Sequence, residues 1–325
     1  MTLYLVLLLY IPLLLIAICP EKDDKVLKGL FSLLFLIFIF YHLDAGPDHL
    51  IYEWAYNEPL FSVPFEPLFS SCIAISKLFG LDYIEFLIAF RCFSFLVFAY
   101  AIFNLDKAKF IFFMGLYIPI SFITFELNLL RQSLSLHLGL SAACAYMSAK
   151  NKTSYLVMAL AIMSHFSAVV MVLIYLNRVR VKVIFLLAGF SIVVFMLILP
   201  AILSKVDDYQ ELGALNVRMD VAALQTIMLI ALPFVFFKLK DDFLPKLFYV
   251  TICLMTFIPV LVRLYPIALL ILLPSIVTAK SNKIITALFL FLYLSLFMAI
   301  GKTYLLLQAD QHAIQEGTYQ HGYTK

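Results

Sequence analysis

Long apolar stretches dominate this sequence and decide what it can fold into. A helix needs roughly 20 apolar residues to cross the hydrocarbon core of a bilayer, and about 17 is the lower end of the range. Charged residues make up only 13% of the chain, about half of the ~25% found in soluble domains. The sequence therefore predicts an all-α polytopic integral membrane protein with a single membrane domain over residues 1–325. Eleven runs approach or reach the spanning length: 2–18, 26–43, 83–105, 109–127, 129–148, 154–176, 183–203, 221–239, 246–262, 265–279 and 284–304.

The same composition argues against several kinds of function. The five cysteines are scattered through apolar runs without Cys-x-x-Cys spacing, so the sequence indicates neither a metal knuckle nor a disulfide framework. The basic residues are dispersed along the chain, and we expect no nucleic-acid partner.

The positions of the lysines predict the orientation, because loops rich in Lys and Arg stay in the cytoplasm. Thirteen of the 17 lysines lie in such loops, near residues 22–28, 107–109, 150–152, 178–182, 238–246 and 280–283. The segment 44–64 contains neither Lys nor Arg. We therefore predict external loops at 44–82 and 204–220, with both termini on the external side of the membrane.

Two segments do not fit this orientation as simple crossings. The segment 67–80 is expected to be a re-entrant or surface-lying helix. The run 154–176 has basic loops on both sides, so we interpret it as a helical hairpin that turns near residues 164–167; a plain crossing that breaks the charge rule is the alternative. Irregular backbone at membrane depth is tolerated where protein or water surrounds it. The prediction is then about ten crossings and one hairpin.

Ionisable residues are rare in the apolar runs, where each costs at least ~2.5–3.5 kcal/mol. Four of the six arginines lie toward the external side: Arg91, Arg131, Arg218 and Arg263. A planar guanidinium binds phosphate oxygens in bidentate fashion, so we expect a phosphate or pyrophosphate site there. For each arginine, snorkelling to the interface or pairing with a carboxylate is the alternative. Glu126, five residues before Arg131, is a candidate for such a pair.

Carboxylates, aromatic rings and histidines complete the external side. Asp48 and Tyr52 belong to a loop whose mixture of carboxylates and rings is typical of sugar sites, although an interfacial aromatic belt explains the rings equally well. Glu66 lies in the apolar run 65–69, where an unpaired carboxylate is costly, and we expect it to be functional. His165 could act as a base near neutral pH, whereas His137 is expected to serve packing.

Several short motifs succeed one another in a fixed order over residues 30–180. They are Gly46-Pro47-Asp48 with Tyr52 and Tyr56, the run Phe65-Glu66-Pro67-Leu68-Phe69, Asn128-Leu129-Leu130-Arg131-Gln132-Ser133, and Ser164-His165-Phe166-Ser167-Ala168. In this order on a multispan scaffold, they resemble the bacterial polysaccharide repeat-unit polymerases of the Wzy and EpsG type. Beyond residue 180, Arg263-Leu264-Tyr265 is similar as well.

The resemblance implies a membrane glycosyltransferase that polymerises undecaprenyl-pyrophosphate-linked oligosaccharide repeat units on the external face of the membrane. The lipid-linked donor and acceptor are the implied partners, together with a chain-length regulator and a flippase. An O-antigen ligase with the same donor, or a flippase without chemistry, is the alternative. No Asp-x-Asp motif occurs, and we expect neither a metal nor another cofactor.

The chemistry assigns a role to each candidate residue. Arginines stabilise the charge that develops on a departing pyrophosphate, and a base takes the proton of the acceptor hydroxyl. We expect catalytic roles for His165, Glu66, Arg131 and Arg263, with either His165 or Glu66 as the base. The expected substrate-binding residues are Arg91, Arg218, Asp48, Tyr52, Gln132 and Tyr265.

Overall fold

The computed structural model describes residues 2–19, 24–43, 45–46, 48–60, 62–63, 65–178, 221–279 and 284–315. The predicted run 183–203, the predicted external loop 204–220 and Arg218 lie outside these described residues.

Helices account for most of the described residues, as the sequence predicts. The α-helices are α1 (Thr2–Ile18), α2 (Asp24–Tyr41), α3 (His49–Asn57), α4 (Pro67–Leu78), α5 (Tyr83–Phe103), α6 (Lys107–Ile120), α7 (Leu130–Met147), α8 (Asn151–Ser164), α9 (Val221–Phe236), α10 (Phe243–Met255), α11 (Tyr265–Leu272) and α12 (Ile284–Gln315). A π-helical turn covers Thr124–Asn128, and 3-10 helices cover Phe166–Arg178, Pro259–Leu264 and Leu273–Ser275. One small antiparallel pair, β1 (Phe237–Leu239) with β2 (Ile276–Ala279), departs from the all-α prediction.

The apolar runs of the first half coincide closely with helices. Among the described helices, Tyr83–Phe103 and the segment Ile284–Gln308 are long and apolar enough to cross a membrane by length and composition. The predicted run 109–127 is divided, because α6 ends at Ile120 and the π-helical turn comes after it. The structure therefore agrees with a helical membrane protein, while the number of crossings stays a prediction.

The chain reverses direction inside the run 154–176, as the hairpin interpretation predicts. α8 ends at Ser164, and His165 has an extended backbone with φ −159° and ψ 126°. The hydroxyl of Ser154 lies 2.6 Å from the phenol oxygen of Tyr175, so residues about equally far from His165 along the chain meet side by side. His165 consequently occupies the tip of a helical hairpin.

The predicted external loop 44–82 folds into the two short helices α3 and α4. Tyr56 donates to the carbonyl of Leu81 at 2.7 Å, and Lys77 donates to the carbonyl of Glu58 at 2.6 Å. Gly46 has φ +107°, and a Cβ atom there would lie only 2.9 Å from the carbonyl oxygen of Leu127. Glycine is therefore needed for both its conformation and its size where this segment packs on the π-helical turn.

The described lysines of the predicted basic loops 22–28, 107–109 and 238–246 gather at one end of the helical bundle. Lys28 donates to the carbonyl of Leu105 at 2.7 Å, and Lys107 donates to the carbonyl of Cys19 at 2.7 Å. Lys109 and Lys240 line one cavity at the same end. We call this the lysine end. α7 runs from Arg131 to the lysine end, about 24 Å away at 1.5 Å per residue.

Candidate functional site

Glu66 and Arg131 form an ion pair between Oε2 and Nη1, although 65 residues separate them in the sequence. Glu66 immediately precedes α4, and its side chain makes no capping hydrogen bond to that helix. The carboxylate therefore reaches Arg131 instead. The Glu66 side chain is only 9% exposed, and a carboxylate buried to that extent needs a charged partner. The expected pair between Glu126 and Arg131 is wrong.

Arg131 lies in the first turn of α7, where the positive end of the helix dipole disfavours a cation. Two contacts compensate for this placement: the ion pair with Glu66 and the ring of Phe65, whose centroid is 4.4 Å from the guanidinium carbon. Nε of Arg131 has no hydrogen-bond partner among the described residues. A helix N-terminus combined with a guanidinium that keeps a spare donor is an arrangement suited to anions.

His165 joins this pair from the tip of the hairpin. Its Nε2 lies 3.7 Å from Oε1 of Glu66 and 3.0 Å from the side-chain amide of Gln132. The backbone N–H of Ser167 donates to Nδ1 at 3.2 Å. Because Nδ1 accepts that hydrogen bond, the neutral ring carries its proton on Nε2. His165 therefore presents an N–H group toward Glu66 and Gln132.

The amide of Gln132 fits this tautomer when its oxygen faces His165. The Oε1 atom otherwise has no partner within the described chain, and an amide orientation is assigned from the hydrogen-bond network. With the oxygen toward Nε2–H, Gln132 holds the imidazole ring in place beside Glu66.

Asp48 extends the cluster from the start of α3. Its backbone N–H donates to Oδ1 of Asn128 at 2.6 Å, which ties the Gly46-Pro47-Asp48 motif to the segment leading into Arg131. Burial raises the pKa of the Asp48 carboxyl above its usual value, while the charges of Arg263 and, less strongly, Arg131 act to lower it. Both arginines therefore act on this carboxylate. Arg263 is exposed to solvent.

We call Asp48, Glu66, Arg131, His165 and Arg263 the arginine end. Gln132 belongs to the same group through its contact with His165. Three of the four residues predicted as catalytic, Glu66, Arg131 and His165, thus contact one another, while Arg263 is linked to the group only through its charge acting on Asp48.

Other predicted substrate-binding residues lie beneath the cluster or away from it. Tyr52 is 4% exposed and lies close enough to Arg131 for the two side chains to interact electrostatically. Arg91 is 3% exposed and donates to the carbonyls of Glu126 and Leu127, so it braces the backbone before Arg131. Tyr265 is buried in the core beside Tyr249.

A buried polar network below the arginine end was not predicted from the sequence. The carboxylate of Glu126 accepts hydrogen bonds from Tyr117 and from Ser133, the latter at 2.8 Å, and lies 3.1 Å from Nε2 of His137. His137 is 1% exposed, as its packing role predicts, and its Nδ1 lies 2.8 Å from the hydroxyl of Ser94.

Part of a signal for this network was present in the sequence. Ser133 and His137 are four residues apart and so share one helix face. Their carboxylate partner comes from a π-helical turn, and such turns often occur at functional sites. Sequence spacing does not disclose where a π-helical turn forms.

The described ranges contain no group of three or more His, Cys, Asp or Glu residues that could hold a metal ion. The arginine end itself offers five side chains for chemistry: two carboxylates, two guanidinium groups and one imidazole.

Comparisons with known proteins give one match. A sequence model described as the EpsG family matches residues 25–307, a span that includes every residue of the arginine end. No curated protein and no solved structure matches the chain.

Proposed function

Because the chain belongs to the EpsG family, we propose that it polymerises undecaprenyl-pyrophosphate-linked oligosaccharide repeat units on the external face of the bacterial inner membrane. Family membership supports a role in polysaccharide biosynthesis. The observation that carries the chemical proposal is the meeting of Glu66, Arg131 and His165, which come from three separate segments. In this proposal the arginine end faces outward, the lysine end faces the cytoplasm, and about ten crossings leave both termini outside.

Arg131 and Arg263 bind the pyrophosphate of the donor. Transfer of the sugar breaks the bond between the anomeric carbon and the pyrophosphate oxygen, and the electron pair leaves with that oxygen. In this proposal the guanidinium of Arg131, whose side chain is 24% exposed, and the positive end of α7 stabilise the developing charge. Removing one donor of this kind costs about 10²–10³ in rate.

Glu66 takes the proton of the acceptor hydroxyl. A carboxylate only accepts hydrogen bonds, whereas the neutral ring of His165 presents Nε2–H on this side and uses Nδ1 for Ser167. The acceptor oxygen attacks the anomeric carbon as its proton passes to Glu66, and direct displacement inverts the configuration. Pyrophosphate is a stable leaving group, so the reaction requires only a weak base to take the acceptor proton, and a carboxylate can serve as that base. His165 and Gln132 are positioning residues that orient Glu66.

Asp48 binds hydroxyl groups of the substrate at the edge of the cluster. It lies between Arg263 and the segment that carries Arg131, and its carboxylate is partly open. Tyr52 and Arg91 act by holding Arg131 and its backbone in place. Roles for Arg218 and Tyr265 in substrate binding stay predictions.

The test is the length of surface polysaccharide in cells whose chromosomal copy is deleted and replaced by variants. We expect Glu66→Gln to leave single repeat units on the acceptor at normal protein abundance. Glu53→Gln is the matched control, because Glu53 lies in the same external segment with its side chain 46% exposed, and it should give the wild-type ladder.

Two outcomes would count against the proposal. A wild-type ladder from Glu66→Gln would exclude Glu66 as the base. Loss of all externally displayed repeat units on deletion, with none left on the acceptor, would favour translocation over polymerisation.

A further inference from the structure

A cavity of about 450 Å³ opens at the lysine end. Tyr146 and Met147, at the end of α7, form part of its wall. Because Arg131 lies in the first turn of the same helix, the length of α7 separates this cavity from the arginine end by about 24 Å. The cavity therefore plays no part in the proposed transfer reaction.

Ser275 gives the first indication that the cavity holds a ligand. This residue lines the cavity and is 1% exposed. Its hydroxyl has no hydrogen-bond partner in the part of the chain that the structure describes. A buried hydroxyl without a partner has lost its hydrogen bonds to water without compensation, so native structures rarely keep one without a reason.

The small β-sheet brings a lysine next to this hydroxyl. The backbone N–H of Lys240, just after β1, donates to the carbonyl of Ser275 at 2.8 Å. Lys240 is exposed and lines the cavity. The register of the β1–β2 pairing shifts between Lys238 and Leu239, which leaves Val277 of β2 as the extra residue, and such irregularities commonly occur near functional sites.

Lys109 supplies a second ammonium group to the same cavity. Its Nζ pairs with Asp106, and since an ammonium group has three donors, the pair leaves donors for a ligand. Asp242 is the lining carboxylate, so the lining side chains carry two positive charges and one negative charge. The rest of the wall is largely apolar and includes Ile271 and Ile276.

We propose that this cavity binds a phosphate ester. The ammonium groups of Lys109 and Lys240 bind the phosphate oxygens, and the Ser275 hydroxyl donates to one of them. Asp242 accepts from a hydroxyl group elsewhere on the ligand. The apolar wall suits a phospholipid, whose head group has the same chemistry as a free phosphate ester.

The experiment measures thermal unfolding of the purified full chain in an uncharged detergent, since a ligand that binds the folded state raises Tm with its concentration. The probes are short-chain phosphatidylglycerol, glycerol phosphate, and a short-chain diacylglycerol that lacks phosphate. The variants are Lys240→Gln and Ser275→Ala. The matched control is Lys238→Gln, because Lys238 is an exposed lysine on β1, two residues before Lys240, that does not line the cavity.

We expect at least one of the two phosphate-bearing probes, phosphatidylglycerol or glycerol phosphate, to raise Tm. The diacylglycerol should leave Tm unchanged. Lys240→Gln should weaken binding about tenfold and Ser275→Ala about fivefold, in line with charged and neutral hydrogen bonds, while Lys238→Gln binds as wild type. A response to phosphatidylglycerol alone identifies a lipid head group, and a response to glycerol phosphate as well identifies a free ester. Equal binding by Lys240→Gln and Lys238→Gln, or no response to either phosphate probe, would overturn the proposal.

Discussion

The two ends of the bundle both carry cations, but they use them differently. At the lysine end, Lys28 and Lys107 donate to carbonyls just beyond the ends of α5 and α1. At the arginine end, the guanidinium of Arg131 pairs with a carboxylate from another segment and stacks on a ring. Lys28 and Lys107 close helix ends, whereas the arginines at the arginine end act on a small group of carboxylates.

The kind of group that a cation contacts distinguishes structural cations from reactive ones better than the charge alone does. A lysine that donates to a carbonyl just beyond a helix satisfies a backbone group that would otherwise lack a partner. An arginine in the first turn of a helix opposes the helix dipole, so its place is explained by what it binds. Residues that violate a local structural preference, such as the charge preference of a helix end, commonly lie at functional sites.

The largest expected effect is at Arg131. Arg131→Ala should lower polymerisation about 10³-fold, because it removes the donors proposed for the pyrophosphate. Lys152→Ala removes an exposed cation at the opposite end and should leave the ladder unchanged. Polysaccharide length and protein abundance are measured together. If both variants gave the same ladder, the cations at the two ends would not differ in their importance for polymerisation.

The buried network beneath the arginine end should matter for stability. Glu126→Ala leaves the polar groups of Tyr117, Ser133 and His137 without their shared carboxylate. Removing one member of such a buried group costs about 3–5 kcal/mol. Thermal unfolding of purified protein should show a large fall in Tm, and an unchanged Tm would mean that the network does not stabilise the folded state.

Lys28 tests the structural use of cations at the lysine end. Its side chain is 2% exposed, pairs with Asp24 at 2.8 Å and donates to Leu105. Lys28→Met keeps the side-chain volume but loses both contacts. We expect the free energy of unfolding to fall by about 1–3 kcal/mol. The polymer made per molecule of protein should not change. A shortened polymer at unchanged Tm would assign Lys28 to the reaction instead.

The smallest expected effect on stability is at Asp48 and depends on pH. Burial raises the pKa of this carboxyl in the folded protein, so the ionised form is disfavoured by folding. Stability is therefore lost as the pH rises from the unfolded-state pKa to the folded-state pKa. Asp48→Asn should raise Tm at neutral pH by less than about 5 °C. This gain in Tm should vanish at a pH below both the unfolded-state and the folded-state pKa, where the wild-type carboxyl is protonated in both states.

Asp48→Asn should also lower polymerisation about tenfold, because a hydrogen bond to a charged group is lost. A neutral-pH Tm below that of wild type would show that the arginines stabilise the carboxylate more than burial destabilises it.

Much of the helical layout could be predicted from apolar runs and charge positions. The basic loops on both sides of 154–176 predicted the hairpin tip at His165, and the structure confirms the reversal. The interruption after Ile120 and the β1–β2 pair could not be predicted, because apolar runs of similar composition form helices, turns or strands according to the packing around them.

The sequence singled out the residues of this cluster but disclosed only part of their contacts. Glu66, Arg131 and His165 were conspicuous because polar groups are costly in apolar surroundings. Their mutual pairing was not visible, and sequence proximity wrongly suggested Glu126 as the partner of Arg131. Contacts between segments 65 residues apart depend on how the helices pack, which a single sequence does not specify.

The most direct test of the proposed reaction centre is the release of undecaprenyl pyrophosphate by the purified full-length protein supplied with a lipid-linked repeat unit. We predict release in step with chain extension for wild type, and a loss of at least about 10²-fold for a folded Glu66→Gln protein. Glu53→Gln should behave as wild type. Release at the wild-type rate by Glu66→Gln would contradict the claim that the arginine end is the reaction centre with Glu66 as its base.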